Sequence, residues 1–203
     1  VTTQEVPNVL TKLSIHDLLN AWVLSWEQLG VNPTRAAVEL KVAHVVLETG
    51  LKYCHCFNVG NVKHVDGDAY NWCSFACGEE VRLDAQGNLP AALQSPYVTR
   101  KGNPYLRSGS MWQSVWIVPP HPWSRFRAYD TLADGIRGQI GYLKKHPDVL
   151  DALMTGDAAR YCEALHAAGY FTADPNSYLR GVLGTLLNVR GISRTWDGWG
   201  DVP

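Results

Sequence analysis

The run from Thr34 to Thr49 constrains this chain more than any other segment. Ala36, Ala37, Val38, Leu40, Val42, Ala43, Val45, Val46 and Leu47 put apolar side chains on nearly every face of its second half. A helix apolar all round belongs inside a core, with other helices packed about it. Asn32-Pro33 supplies the start signal, Asn as cap and Pro at the first helical position, and Gly50 ends the run. Glu48 is therefore expected in the last turn of a central helix, a costly place for a carboxylate.

Lost hydration raises the pKa of such a group, and the negative end of the helix dipole pushes the same way. A carboxylic acid kept protonated near neutral pH suits glycosidic bond cleavage, where the leaving oxygen must receive a proton. The competing reading is that Glu48 turns to the surface and pairs with Lys52, one turn on.

Around this helix the sequence reads as mainly α, with a smaller irregular β-containing part. Residues 1–13 look like a loosely held lead-in. Ser14, with Asp17 three residues on, opens a helix that runs to about Leu29 and stops at Gly30. Residues 51–129 lose helical periodicity and carry short β-prone runs at Glu80–Leu83, Ser114–Val118 and Phe126–Tyr129. Pro119-Pro120-His121-Pro122 reads as a rigid extended connector. Helices return near Thr131 and extend to Lys145. Others cover about Pro147–Met154, then Thr155 or Gly156 to Ala168, then Pro175–Asn188, and the tail Arg194–Gly200 reads as surface loop. The expected organisation is a single domain over 1–203, a helical lobe at about 14–50 and 130–190 and a small lobe at 51–129.

Composition adds exclusions. A formal net charge of -1 offers no general electrostatic attraction for nucleic acid. No stretch approaches the roughly 20 apolar residues of a membrane span, and no charged-then-apolar signal segment is read at the start. Eight Trp and nine Tyr stand against four Phe, a set suited to stacking on sugar rings as well as to core packing. Trp112, Trp116, Trp123 and His121 lie together, as a sugar-stacking wall or as packing between lobes. Cys54, Cys56, Cys73 and Cys77 pair at short spacing, which suits two crosslinks, a zinc site or free thiols. Cys162 reads as a small buried hydrophobe, and His16 and His44 as structural.

Three segments carry a family resemblance. Glu48-Thr49-Gly50 is followed by Phe57-Asn58-Val59-Gly60-Asn61-Val62-Lys63; Phe126-Arg127-Ala128-Tyr129 precedes Leu132-Ala133-Asp134-Gly135-Ile136; and Ala164-Leu165-His166-Ala167-Ala168-Gly169-Tyr170-Phe171-Thr172-Ala173-Asp174-Pro175-Asn176-Ser177-Tyr178 comes last. In that order, over about residues 36–185, they resemble the glucosaminidases of glycoside hydrolase family 73 and their lysozyme-like relatives. Gly60-Asn61 stands where Phe-Gly is usual, as in the Asn-x-Gly-Asn form of some phage and bacterial muramidase-like domains. Residues 64–125 share almost nothing with the family beyond a candidate carboxylate.

The resemblance implies a lysozyme-like fold and a monomer acting, without cofactor or metal, on the peptidoglycan glycan strands of the bacterial cell wall. It implies Glu48 as the acid and Tyr170 as a tyrosine lining the cleft near it. The second carboxylate is expected from the small lobe: Glu80 or Glu79, which face opposite ways on a strand, with Asp66 and Asp68 as outsiders. Phe57, Asn58, Asn61, Tyr178 and Trp123 are the candidate sugar contacts, although Asn58 and Asn61 also suit turn closure and Tyr170 and Tyr178 suit anchoring of the last helix. N-acetylglucosaminidase, muramidase and lytic transglycosylase activities remain open, as does a non-catalytic glycan-binding or assembly module. So do an endolysin, an antimicrobial toxin or an autolysin as the biological setting.

Overall fold

The computed structural model describes residues 3–200 and 202. Two compact units divide them: Val9–Val62 with Ala128 onward, and the residues up to Asn8 with Lys63–Arg127. The first is helical and the second is built on antiparallel strands, so the chain is α+β.

In the helical unit, strand β1 (Leu10–Thr11) pairs antiparallel with β2 (Cys54–His55). The lead-in is thus tied down from Leu10, and earlier still in the other unit, where Glu5 bridges Trp72. Ser14 and Asp17 form the reciprocal capping box that starts α1 (Ile15–Ser25). A short 3-10 turn, Trp26–Leu29, then leads to Gly30, whose φ of 72° suits glycine. Helix α2 (Arg35–Thr49) begins later than Asn32-Pro33 suggests, because the hydroxyl of Thr34 accepts the Ala37 N–H and is the real cap. Gly50 closes it in the left-handed conformation.

Helix α2 is buried from Ala37 through Val46. Each fully buried Leu or Val contributes about 1.5–3 kcal/mol of hydrophobic stabilisation, so Val38, Leu40, Val42 and Val45 anchor the core. Around it lie α3 (Leu132–Lys145), α4 (Pro147–Met154), α5 (Ala158–Ala167) and α6 (Pro175–Ser193). Thr131, Asp157 and Asp174 cap α3, α5 and α6 through side-chain oxygens. The Asp157 cap moves the start of α5 past Thr155 and Gly156, while α6 runs beyond Asn188 to Ser193. The tail is not surface loop. Trp196 and Trp199 are buried against the helical core, and the Trp199 indole donates to the Ser193 carbonyl.

Helix α3 packs against the turn after α2 through glycine. A methyl group on Gly135 would lie 2.0 Å from the Phe57 carbonyl oxygen, a backbone atom that cannot swing aside. Gly135→Ala is expected to destabilise the protein by about 2–4 kcal/mol, measured as a lower urea midpoint with unchanged slope. An unchanged midpoint would show that the turn yields freely.

In the other unit, β4 (Cys77–Arg82), β6 (Ser110–Ile117) and β5 (Val98–Arg107) form an antiparallel sheet in the order β4-β6-β5. Short β3 (Trp72–Ser74) pairs with β7 (Arg125–Arg127). Val81, Val115 and Ile117 join Leu83, Leu89 and Leu93 in a small separate core. The proline-rich stretch is no extended connector: it turns at a cis Pro119–Pro120 bond and enters a 3-10 turn at Pro122–Ser124. Cys54, Cys77 and Cys162 are free thiols. Among the described residues no three His, Cys, Asp or Glu side chains gather as a metal site.

Candidate active site

Glu48 sits in the last turn of α2 with 18% of its side chain exposed, turned inward rather than toward Lys52. The Tyr178 hydroxyl donates to Oε1 at 2.6 Å, a short charge-assisted bond. Asn61 donates to the Glu48 carbonyl at 2.8 Å and lies 3.4 Å from Oε2. The Nε2 atom of His44, one turn back on α2, is 3.7 Å from Oε1. That is beyond a hydrogen bond but well within electrostatic reach.

Local sequence explains how these groups arrive. Asn61 has a φ of 46°, in the left-handed region that asparagine tolerates better than most residues. In that conformation its amide reaches back to donate to the Glu48 carbonyl. Gly60 before it is needed for space, because a methyl group there would collide with Gln139. Asn58 closes the turn, accepting from the Val62 N–H and donating to the Val62 carbonyl, and is 1% exposed. Phe57, at φ 53°, packs its carbonyl on Gly135. The Tyr170 hydroxyl donates to the Gly60 carbonyl, which braces the turn, and its ring meets that of His44 edge-on. Tyr178 reaches Glu48 from the first turn of α6, and Phe171 stacks flat on it with centroids 3.7 Å apart.

The electrostatics depart from the sequence expectation. Burial does push the Glu48 carboxyl upward. The His44 ring, the Tyr178 hydroxyl and the Asn61 amide together outweigh it and hold the group below its ordinary range. Glu48 is thus an ionised carboxylate at neutral pH in the unliganded protein, not a standing acid. Burial, then the charge of Glu48, pushes the Tyr178 phenol upward, so it remains a donor.

Sequence reasoning missed the groups beneath. Lys41 is 1% exposed, with Nζ 2.9 Å from Gln139 Oε1 and 3.4 Å from the Tyr161 hydroxyl. Tyr161 is fully buried and lies 2.8 Å from His44 Nδ1. The available signal was the spacing Lys41, His44, Glu48, three polar residues at i, i+3 and i+7 on an apolar helix, hence on one face.

The strand unit holds the other candidates. Glu79 and Glu80 do point to opposite sides of β4. Glu79 pairs with Lys63 at 2.7 Å and lines a cavity of about 450 Å³ with His64, Arg125 and the 41%-exposed Trp123. Glu80 pairs with Arg107 at 2.8 Å, and that guanidinium lies 3.5 Å from the Trp112 ring centroid. Asp68 is held by both arms of Arg127, whereas Asp66 is 94% exposed beside Arg125. Trp116 lies open on the sheet, and His121 is buried against the Ala92 carbonyl.

Among solved structures, similar chains include a peptidoglycan hydrolase from Sphingomonas sp. A1, 14% identical, with 89% of this chain and 96% of that one covered at a TM-score of 0.49. A mutant peptidoglycan hydrolase from the same organism is 17% identical, with 85% and 96% covered and a TM-score of 0.47. The glycoside hydrolase domain of Salmonella typhimurium FlgJ is 18% identical, with 90% and 92% covered and a TM-score of 0.48. The sequence matches no protein-family model and no curated protein.

Proposed function

We propose that this protein is a lysozyme-like peptidoglycan hydrolase that cleaves β-1,4 glycosidic bonds of the cell-wall glycan strand, with Glu48 as general acid. The observation that carries this reading is the Glu48 carboxylate itself: largely buried, still open to solvent on one side, and fixed by Tyr178 and Asn61. A carboxylate held in one orientation can deliver a proton to one oxygen.

Because its neighbours favour the anion, Glu48 needs either low pH or a bound glycan to become the acid. A sugar laid over it removes its remaining water, which favours the neutral form. Proton transfer to the glycosidic oxygen then returns the anion to the donors that already stabilise it. The second carboxylate is proposed from β4, where Glu79, paired with Lys63, lines the Trp123 cavity and Glu80 is paired with Arg107. Asn61, on the turn after α2, is the proposed sugar-facing group beside Tyr178, while Tyr170 braces that turn through the Gly60 carbonyl. The wall-bound glycan places the site of action at the bacterial cell wall.

Digestion of purified peptidoglycan, followed by analysis of the new ends, tests the reading. A new reducing N-acetylglucosamine end is expected from a glucosaminidase. A reducing N-acetylmuramic acid end indicates a muramidase, and an anhydro sugar a transglycosylase acting through Glu48 alone. Activity should fall as pH rises through the carboxyl's titration, because only protonated Glu48 serves as the acid. Intact glycan strands at every pH, from below the ordinary carboxyl range up to neutral, would leave a binding module as the answer.

A further inference from the structure

Behind Glu48, on the side away from solvent, lies a line of polar groups that proton transfer to a substrate does not itself require. Lys41, Tyr161, His44 and Gln139 are each at most 1% exposed. His44 Nε2 and Gln139 Nε2 make no hydrogen bond among the described residues, so the bonds that order the cluster run through Lys41 Nζ, the Tyr161 hydroxyl and His44 Nδ1.

Counting donors fixes the direction. An ammonium has three N–H donors and no acceptor. Lys41 Nζ gives one to Gln139 Oε1 at 2.9 Å and faces the Tyr161 oxygen at 3.4 Å. Tyr161 therefore accepts from Lys41 and must place its own hydrogen elsewhere. The acceptor within reach is His44 Nδ1, at 2.8 Å. Lys41 Nζ also lies 3.4 Å from that same nitrogen, which excludes a hydrogen on Nδ1 facing the ammonium. The imidazole proton then resides on Nε2, the atom facing Glu48 Oε1 at 3.7 Å.

From this geometry we infer that Lys41 and Tyr161 act through His44 as positioning residues, locking it as the Nε2–H tautomer so that a fixed N–H dipole stabilises the Glu48 anion. The inference rests on Glu48 being the acid only for its consequence in catalysis; the tautomer lock stands apart from it. A stabilised anion makes Glu48 a readier proton donor and is the internal counterpart of the Tyr178 bond.

The charge states agree. Burial, then the neighbouring Lys41 charge, pushes His44 down to about 4, so the ring is neutral over the working range and has a tautomer to choose. Burial pushes Lys41 down to about 7, with Glu48 opposing, so the cation is present on the acid side where Glu48 is to act. The other titratable groups facing the cluster are Tyr142 on α3, Cys162 on α5, Tyr170 after α5 and Tyr178 on α6. Burial moves each of them upward, so they stay neutral there.

The test is imidazole nitrogen NMR on the whole protein at pH 6, with side-chain carboxyl carbon shifts reporting Glu48. The wild type should show His44 neutral, with the hydrogen on Nε2. In Lys41→Met the Tyr161–His44 bond loses its imposed direction, so both tautomers appear and the Glu48 titration moves to higher pH by about one unit, a tenfold change in proton affinity. Should Lys41→Met not fold, Tyr161→Phe keeps the ring and the ammonium. It should hold the Nε2–H form at pH 6 and lose it as Lys41 deprotonates above about 7. A hydrogen on Nδ1 in the wild type overturns the inference, as does a tautomer indifferent to both substitutions. Neither readout needs turnover. A confirmed lock with intact peptidoglycan would instead count against the proposed activity.

Discussion

Glu48→Gln is expected to reduce peptidoglycan cleavage by roughly 10²–10⁴-fold, the span attributable to a lost general acid. The exchange is nearly isosteric. Its amide oxygen can still accept from Tyr178, which donates to Oε1 in the native site. The Asn61 amide keeps its 2.8 Å bond to the residue 48 backbone carbonyl, so the turn after α2 is not released. Packing should therefore be kept, while the lost Glu48 charge leaves the buried Lys41 ammonium less supported at acid pH. Thermal unfolding beside the lysis assay would show that the variant is folded under the assay conditions. The variant should also keep binding glycan, because it loses a transferable proton and not its shape. A folded Glu48→Gln protein that clears cell walls at the native rate would remove Glu48 from the mechanism. Full binding with no cleavage in either protein would point to the non-catalytic module.

Much of this site was legible because it is local. The apolar run that buries α2, the Gly50 stop and the turn carrying Asn61 lie within one stretch of chain, so periodicity and capping place Glu48 directly. Thr131 and Pro147 likewise mark helix starts that the structure keeps. What was illegible came from far along the chain. Burial and the helix end alone argue for a raised Glu48 pKa, and the reversal depends on Tyr178, 130 residues away, and on Asn61 and His44. The bond between His44 and Tyr161 is illegible because the two residues belong to separate helices, α2 and α5. Strand β5 was missed for a different reason. It lies at the sheet edge, is exposed at most positions and carries Lys101, Gly102, Asn103 and Pro104 through its irregular middle, so no alternation betrays it. The tail reads as loop because its glycines mask two tryptophans that reach back to the helical core.

Lys41 provides the second large effect, this time on stability. Its pKa falls from 10.5 to about 7 on folding, chiefly through burial, so between those values the unfolded chain binds more protons than the folded one. Stability must then rise with pH across that window. Below pH 7 the folded protein bears the full cost of an ammonium out of water; above it the folded state sheds the charge. The span is on the order of 3–5 kcal/mol from pH 7 to 10.5. Lys41→Met removes this dependence while filling similar space. Two terms work against the variant at every pH: Gln139 Oε1 and Tyr161 lose a donor, and Glu48 loses a nearby cation. The absolute change at pH 6 is therefore smaller than the span, but the slope is not. Relative to wild type, Lys41→Met should be several kcal/mol better placed at pH 6 than at pH 10. Tyr161, Tyr170 and Tyr178 act in the opposite direction once unfolded phenols ionise near pH 10, and comparing variant with wild type at each pH cancels them. Urea unfolding of both proteins from pH 6 to 10 measures the difference. Parallel stability curves would mean that Lys41 keeps its charge when buried, held there by Glu48.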